Sequence, residues 1–205
     1  MRVTSASPLL IRAALAALTL GLVAACSQGS PAASPSGRPD PRAAATSPAG
    51  TDQAPVTSCD HDPWRDVPVS VTHSVAVPPV PVVTAITVAG HPDCGYDRLV
   101  LTLSGKTPSY TIRSAGKVLA DASGKPIALP GTRYLLITMR PTQAHKDTGV
   151  ATVRGGVVSL DLPTLAGYAL AGDSEGVVTV AVGLRGAGGI RVGELPGRVY
   201  VDFRN

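Results

Sequence analysis

The sequence predicts an all-β protein, a small β-sandwich of short antiparallel strands. Apolar and polar residues alternate with period two in several short segments, which is the pattern of half-buried strands. Turn dipeptides such as Ser104-Gly105 and Gly155-Gly156 separate these segments. Many short strands at this spacing are typical of a sandwich or a barrel.

The individual elements follow from the same alternation. Leu99, Leu101 and Leu103 alternate with more polar neighbours, and the pattern recurs at the end of the chain. One segment, 162–171, is apolar enough to be read as a helix. The predicted strands lie at 82–88, 97–104, 109–114, 133–139, 157–160, 178–184 and 198–203.

The first 25 residues predict a lipoprotein signal peptide. Arg2 and Arg12 precede a stretch of thirteen uncharged residues, which is shorter than the ~20 residues of a membrane-spanning helix. Val23-Ala24-Ala25-Cys26 is similar to the lipobox of bacterial lipoproteins, in which the cysteine is diacylated. We therefore expect Cys26 to anchor the chain in the lipid bilayer, on the outer face of the cell membrane. The alternative is an ordinary signal peptide with an incidental cysteine.

Three further regions follow the signal peptide. Residues 26–57 are rich in Ser, Pro and Ala, and cannot bury enough apolar surface to order, so they predict a disordered tether after the lipidated cysteine. Residues 58–79 are a lead-in segment that is either ordered or part of the tether, and Trp64 favours some packing. Residues 80–205 are long enough for one folded domain.

Charge excludes one class of partner. The chain has a formal net charge of +4, of which Arg2 and Arg12 belong to the signal peptide. A near-neutral remainder gives no overall electrostatic attraction for nucleic acid, whose binding favours a clustered basic face, so no nucleic-acid partner is expected.

Cys59 and Cys94 are the two thiols that remain after lipidation. An exported protein lies in an oxidising compartment, which favours a disulfide that would pin the lead-in segment onto the domain. His61 and His91 lie beside the two cysteines, so a tetrahedral zinc site is the alternative, as are two free thiols.

Four segments in order carry a family resemblance: "HPDCGYDRLVLTLSG", "PSYTIRS", "DSEGVVTVAVGL" and "LPGRVYVDF". Together they resemble the AMIN-like domain of actinobacterial envelope lipoproteins, a relative of the AMIN cell-wall targeting module. Ser174 departs from the pattern, since the family usually has an aromatic residue there. The matching positions are His91, Tyr96, Asp97, Arg98, Pro108, Tyr110, Asp173, Glu175, Gly176, Pro196, Arg198 and Asp202.

The resemblance implies a β-sandwich for binding or targeting, with no catalytic residues. We expect no metal and no cofactor. We expect a non-catalytic envelope protein whose ligand is peptidoglycan or another wall polymer. A protein adaptor that docks an envelope or secreted partner by strand addition is one alternative, and a small hydrolase is another. No Gly-x-Ser-x-Gly or His-Glu-x-x-His motif supports the hydrolase. Candidate binding residues are His91, Tyr96, Asp97, Arg98, Tyr110, Glu175, Arg198 and Asp202.

The charged candidates have a second interpretation. Arg198 and Asp202 alternate with the apolar residues of the last predicted strand, so both lie on the face opposite the core. Charges on that face either pair across neighbouring strands or contact a ligand. The polar residues of the segment 91–98 are likewise expected to have a structural role, in which they tie down one turn and start a strand.

Overall fold

A computed structural model describes Cys59, residues 62–186 and residues 188–205. The predicted signal peptide, the tether with Cys26, and His61 lie outside the described residues. Within this part of the chain there is no helix long and apolar enough to cross a membrane. Its strands are β1 Val69–Val71, β2 Val82–His91, β3 Tyr96–Ser104, β4 Ser109–Ala115, β5 Arg133–Arg140, β6 Val157–Ser159, β7 Leu165–Ser174, β8 Val177–Leu184, β9 Ile190–Leu195 and β10 Arg198–Arg204.

The strands form two antiparallel sheets, which confirms the predicted fold class. One sheet has six strands in the order β1-β4-β5-β8-β7-β6, and the other has four in the order β2-β3-β10-β9. Because alternate side chains of a strand point to opposite faces, each sheet turns one apolar face inward. The inward residues Leu99 and Val201 of the four-stranded sheet share one core with Ile137 and Val180 of the six-stranded sheet.

A second, smaller core lies on the other face of the six-stranded sheet. Val118 and Leu129, in the connection between β4 and β5, pack against Ala169 and Ala181 of β7 and β8. Strands β7 and β8 are therefore buried on both faces along most of their length.

The helix that the sequence predicts at 162–171 is wrong, because residues from Leu165 onward form β7. A strand that is covered on both sides needs apolar residues at every position, and such a run does not alternate. The second core supplies that cover. Strands β1 and β9 were also not predicted, and each is only three to six residues long.

The lead-in segment joins the sandwich at both sheets. Its strand β1 pairs with β4, with Ser70 opposite Thr111. Before β1, the backbone of Arg65 exchanges two hydrogen bonds with Ile190 of β9, at 2.8 and 2.9 Å. A disulfide between Cys59 and Cys94 ties the start of the segment to the short turn that follows β2.

Candidate functional site

The outer face of the four-stranded sheet carries most of the polar residues singled out in the sequence. In the register of the sheet, Arg98 of β3 lies opposite Asp202 of β10, and Asp202 lies opposite Arg191 of β9. We call this surface the arginine face. It is formed by Trp64, His91, Tyr96, Arg98, Arg191, Arg198, Tyr200, Asp202 and Arg204.

Asp202 is the centre of the arginine face. Arg98 donates to its carboxylate twice, from Nε to Oδ1 at 2.5 Å and from Nη2 to Oδ2 at 2.9 Å. Arg191 donates from Nε to Oδ2 at 2.9 Å, and its Nη2 lies 2.7 Å from the same oxygen. The Asp202 side chain has 0% exposure, whereas those of Arg191 and Arg98 have 4% and 20%. A buried carboxylate thus holds two guanidinium groups in fixed positions.

Aromatic rings surround the two paired guanidinium groups. The guanidinium carbon of Arg98 lies 4.2 Å from the ring centre of Tyr200 and 5.1 Å from that of Tyr96. That of Arg191 lies 4.7 Å from the ring centre of Trp64 and 4.9 Å from that of Tyr96. These are cation–π distances, so the rings further fix the orientation of both arginines.

Two further contacts cover Tyr96. The ring of His91 stacks on it at 4.6 Å between centroids, and the ring of Trp64 meets it edge-on at 6.3 Å. Trp64 reaches this position because the lead-in segment is held at Cys59 by the disulfide and at Arg65 by the pairing with Ile190. The lead-in segment therefore builds one border of the arginine face.

The described strand residues of the arginine face carry more positive than negative charge. Four arginines, at positions 98, 191, 198 and 204, point outward from strands of this sheet, together with the single carboxylate of Asp202. Arg198 and Arg204 are exposed, and Tyr200 is half-buried. The exposed outer residues of β10 are therefore cationic, and Tyr200 lies between Arg198 and Arg204 along the strand.

Three of the predicted binding residues lie elsewhere. Asp97 points inward, and its Oδ2 accepts hydrogen bonds from the backbone N–H groups of Thr164 and Leu165, at 2.7 and 2.8 Å. These bonds connect β3 to the start of β7 in the other sheet. Among the described residues Oδ1 of Asp97 has no hydrogen-bond partner, although it is fully buried. Asp97 is a structural connection between the two sheets.

Tyr110 also points into the sandwich. It lies on β4 and is buried, and its hydroxyl donates to Oε1 of Glu194 on β9 at 2.9 Å. Burial raises the pKa of Tyr110 above its ordinary range, and the hydrogen bond to Glu194 acts in the same direction. His73 Nε2 lies 2.9 Å from the same carboxylate oxygen. This cluster closes one edge of the core.

Glu175 is a turn residue. Ser174 pairs with Val177, so Glu175 and Gly176 are the two central residues of the β7–β8 hairpin. Their φ angles are 52° and 69°, as a type I′ turn requires. Glu175 is thus a residue of the hairpin turn and does not lie on the arginine face.

Sequence reasoning missed four residues of the arginine face, which are Trp64, Arg191, Tyr200 and Arg204. The alternation that places Arg198 and Asp202 outward also places Tyr200 and Arg204 outward, so the same reasoning could have predicted Tyr200 and Arg204. Arg191 was not, because β9 was not predicted. Trp64 was recognised as a packing residue, but its position follows from the tertiary structure.

Other parts of the described chain offer less for chemistry. Among the described residues no three His, Cys, Asp or Glu side chains come together as a metal site. Cys94 is bonded to Cys59, while His61 lies outside the described residues. A pocket of about 450 Å³ lies between segments 75–81 and 104–106, and Lys106 is its one titratable side chain.

The described residues thus define a class of protein, a β-sandwich with a preorganised cationic and aromatic face on one sheet. Comparison with known proteins gives the family. The family model of the AMIN-like domain matches residues 81–205, and the chain belongs to this family. No curated protein and no solved structure matches the chain. Membership indicates a binding or targeting module of the cell envelope.

Proposed function

We propose that this protein is a non-catalytic envelope lipoprotein whose arginine face binds an anionic polymer of the cell wall, peptidoglycan included. One observation carries the proposal: four arginines and a single, already paired carboxylate occupy the outer positions of one sheet. Wall polymers carry carboxylate or phosphate groups, and guanidinium binds both with paired hydrogen bonds.

Each part of the face has a role in this proposal. Arg198 and Arg204 are exposed and contact the anionic groups of the polymer. Tyr200 lies between them along β10 and offers a ring edge to the polymer chain. Asp202 holds Arg98 and Arg191 in place, which keeps the neighbouring strands β3, β10 and β9 in fixed register, so the sheet that carries the exposed arginines loses little freedom on binding.

The absence of catalysis is also part of the proposal. A general acid or base needs a group that is able to exchange a proton with a substrate. The carboxylate of Asp202 is buried and bound by two guanidinium groups, and that of Asp97 is bound by two backbone N–H groups. These arrangements favour a structural role for the two buried carboxylates.

Attachment to the membrane completes the proposal. The lipobox-like sequence that ends at Cys26 supports diacylation of that cysteine, with the segment 27–57 as a tether. Two acyl chains hold a protein stably on a bilayer. Mass spectrometry of the mature chain checks this point: we expect an acylated N-terminal cysteine at position 26, and Cys26→Ala releases the protein from the membrane fraction.

Binding to purified wall material tests the main proposal. We expect the full chain to be retained, and the variant Arg198→Ala/Arg204→Ala to lose most of that retention. The control Arg113→Ala/Arg140→Ala removes two exposed arginines of the six-stranded sheet, so it makes the same change in net charge. Retention should also fall as salt is raised.

Two results contradict the proposal. Equal loss in both double variants shows that net charge alone drives retention, and retention no greater than that of a tag-only control removes the wall polymer as ligand. If cross-linking in intact cells instead recovers one defined protein at this face, the adaptor alternative replaces it.

A further inference from the structure

Beyond Val83, strand β2 has an edge that no described residue pairs. It is the outermost strand of the four-stranded sheet and, at ten residues, it is one of the two longest strands described. Only its first residues are covered: the N–H of Val83 donates to the carbonyl of Gln143, and the hydroxyl of Thr152 donates to the carbonyl of Val83.

Register shows which backbone groups face outward. The N–H of Leu103 donates to Gly197, which lies on the β10 side, so the alternate residues Thr102, Val100 and Arg98 of β3 face β2. Their partners Ala85, Thr87 and Ala89 therefore bond to β3. The N–H and carbonyl groups of the intervening residues 86, 88 and 90 point to the open edge.

The side chains of this edge carry no feature that blocks pairing. Exposed edge strands in natural proteins carry charges or proline, or bulge away from a neighbour. Residues 82–90 contain no charged residue and no proline, and the one irregularity, at Val83/Ala85, lies at the covered end. An edge of this composition is a template for another strand.

We propose that residues 86–90 of β2 pair antiparallel with the same residues of a second copy of this chain. A two-fold axis at Val88 pairs residue 88 with its own copy and Ile86 with Gly90, so all three outward residues exchange backbone hydrogen bonds. On the outer face Thr87 then lies opposite Ala89. No like charges meet, and the large Ile86 lies opposite the small Gly90, whose inner side is packed by Leu162 of its own copy, so the edge pairs large residues with small ones and brings no charges together.

The dimer has a consequence for the arginine face. In an antiparallel pair across a two-fold axis perpendicular to the sheet, the two four-stranded sheets continue into one another with their outer faces on the same side. Two arginine faces then lie side by side. If the proposed function holds, one polymer chain binds both, and the linked binding exceeds that of a single face.

Sedimentation of the full chain over a dilution series tests the pairing without any polymer. We expect a monomer–dimer equilibrium, and protection of the amides of residues 86, 88 and 90 from hydrogen exchange that increases with protein concentration. Thr87→Lys places two charges beside the axis and shifts the equilibrium at least tenfold toward monomer. Thr111→Lys makes the same change at an exposed position of β4 and leaves the equilibrium unchanged.

Three outcomes overturn the proposal. They are a monomer at every concentration, a dimer that Thr87→Lys does not weaken, and protected amides that lie outside residues 86–90. Thermal unfolding of Thr87→Lys shows whether that variant is folded, and the exchange measurement uses the unaltered chain. Because no wall material is present, failure of the dimer leaves the binding test of the arginine face unaffected.

Discussion

The carboxylate of Asp202 and the guanidinium of Arg98 face one another directly across β10 and β3, joined by hydrogen bonds of 2.5 and 2.9 Å. This pair combines the two interpretations of the polar strand face. The charges do pair across strands, and two exposed arginines, Arg198 and Arg204, lie on the same face of β10 as Asp202. Structural pairing and the proposed ligand contact therefore fall on different residues of one face.

Asp202→Ala is expected to lower the free energy of unfolding by ~3–5 kcal/mol, because it removes the buried carboxylate to which both Arg98 and Arg191 donate. Urea unfolding measures the change. Asp161→Ala is the matched control, since the Asp161 side chain is fully exposed and lies 3.9 Å from Arg185. We expect that control to change stability by less than ~0.5 kcal/mol. Similar losses in the two variants would contradict the buried-pair assignment.

Asp97→Ala is expected to cost about 2–4 kcal/mol, since it leaves the N–H groups of Thr164 and Leu165 without their acceptor in a buried position. Hydrogen exchange gives a local readout, because these two amides should exchange faster in the variant. Asp97→Asn keeps a side-chain oxygen and should lose less stability. If the alanine variant leaves both amides protected, Asp97 does not connect the sheets.

Reduction of the Cys59–Cys94 disulfide should release Trp64 from the arginine face. Trp64 is the single tryptophan of the chain, so its fluorescence reports the lead-in segment alone. We expect a red shift of emission on reduction, and a loss of ~3–4 kcal/mol in Cys59→Ser/Cys94→Ser for a closed loop of 35 residues. Intact mass without reductant should show two hydrogens fewer than the dithiol. Alkylation of both cysteines without reduction would contradict the bond.

Tyr110 should cause the stability of the protein to fall at alkaline pH. Its pKa is raised in the folded state by burial and by the bond to Glu194, whereas the unfolded state titrates near pH ~10. Above that pH the unfolded chain binds fewer protons than the folded chain, so stability falls as pH rises. The stability lost in Tyr110→Phe should therefore be largest below pH ~10 and shrink above it. A loss that is constant across this range would show that Tyr110 is not the responsible group.

Alternation predicted the strands that have one buried and one open face. Leu99, Leu101 and Leu103 lie inward as expected, and Val199, Val201 and Phe203 do the same. The pattern missed β7, which is buried on both faces, and the short strands β1 and β9, although it found the equally buried β8 and the three-residue β6. For the same reason the sequence could place Arg198 and Asp202 on one face but could not show that Arg191 joins them.

Composition and periodicity by themselves determined an all-β fold, a sandwich or a barrel, with the positions of most strands along the chain and the outward direction of the last strand's charges, because these follow from local burial preferences. Only the tertiary structure decided which of those charges meet. Asp97 points inward and bonds to the other sheet, Tyr110 bonds to Glu194 at one edge of the core, and Trp64 packs against Arg191. These contacts join residues far apart in the chain, and their positions depend on strand pairing that no local pattern encodes.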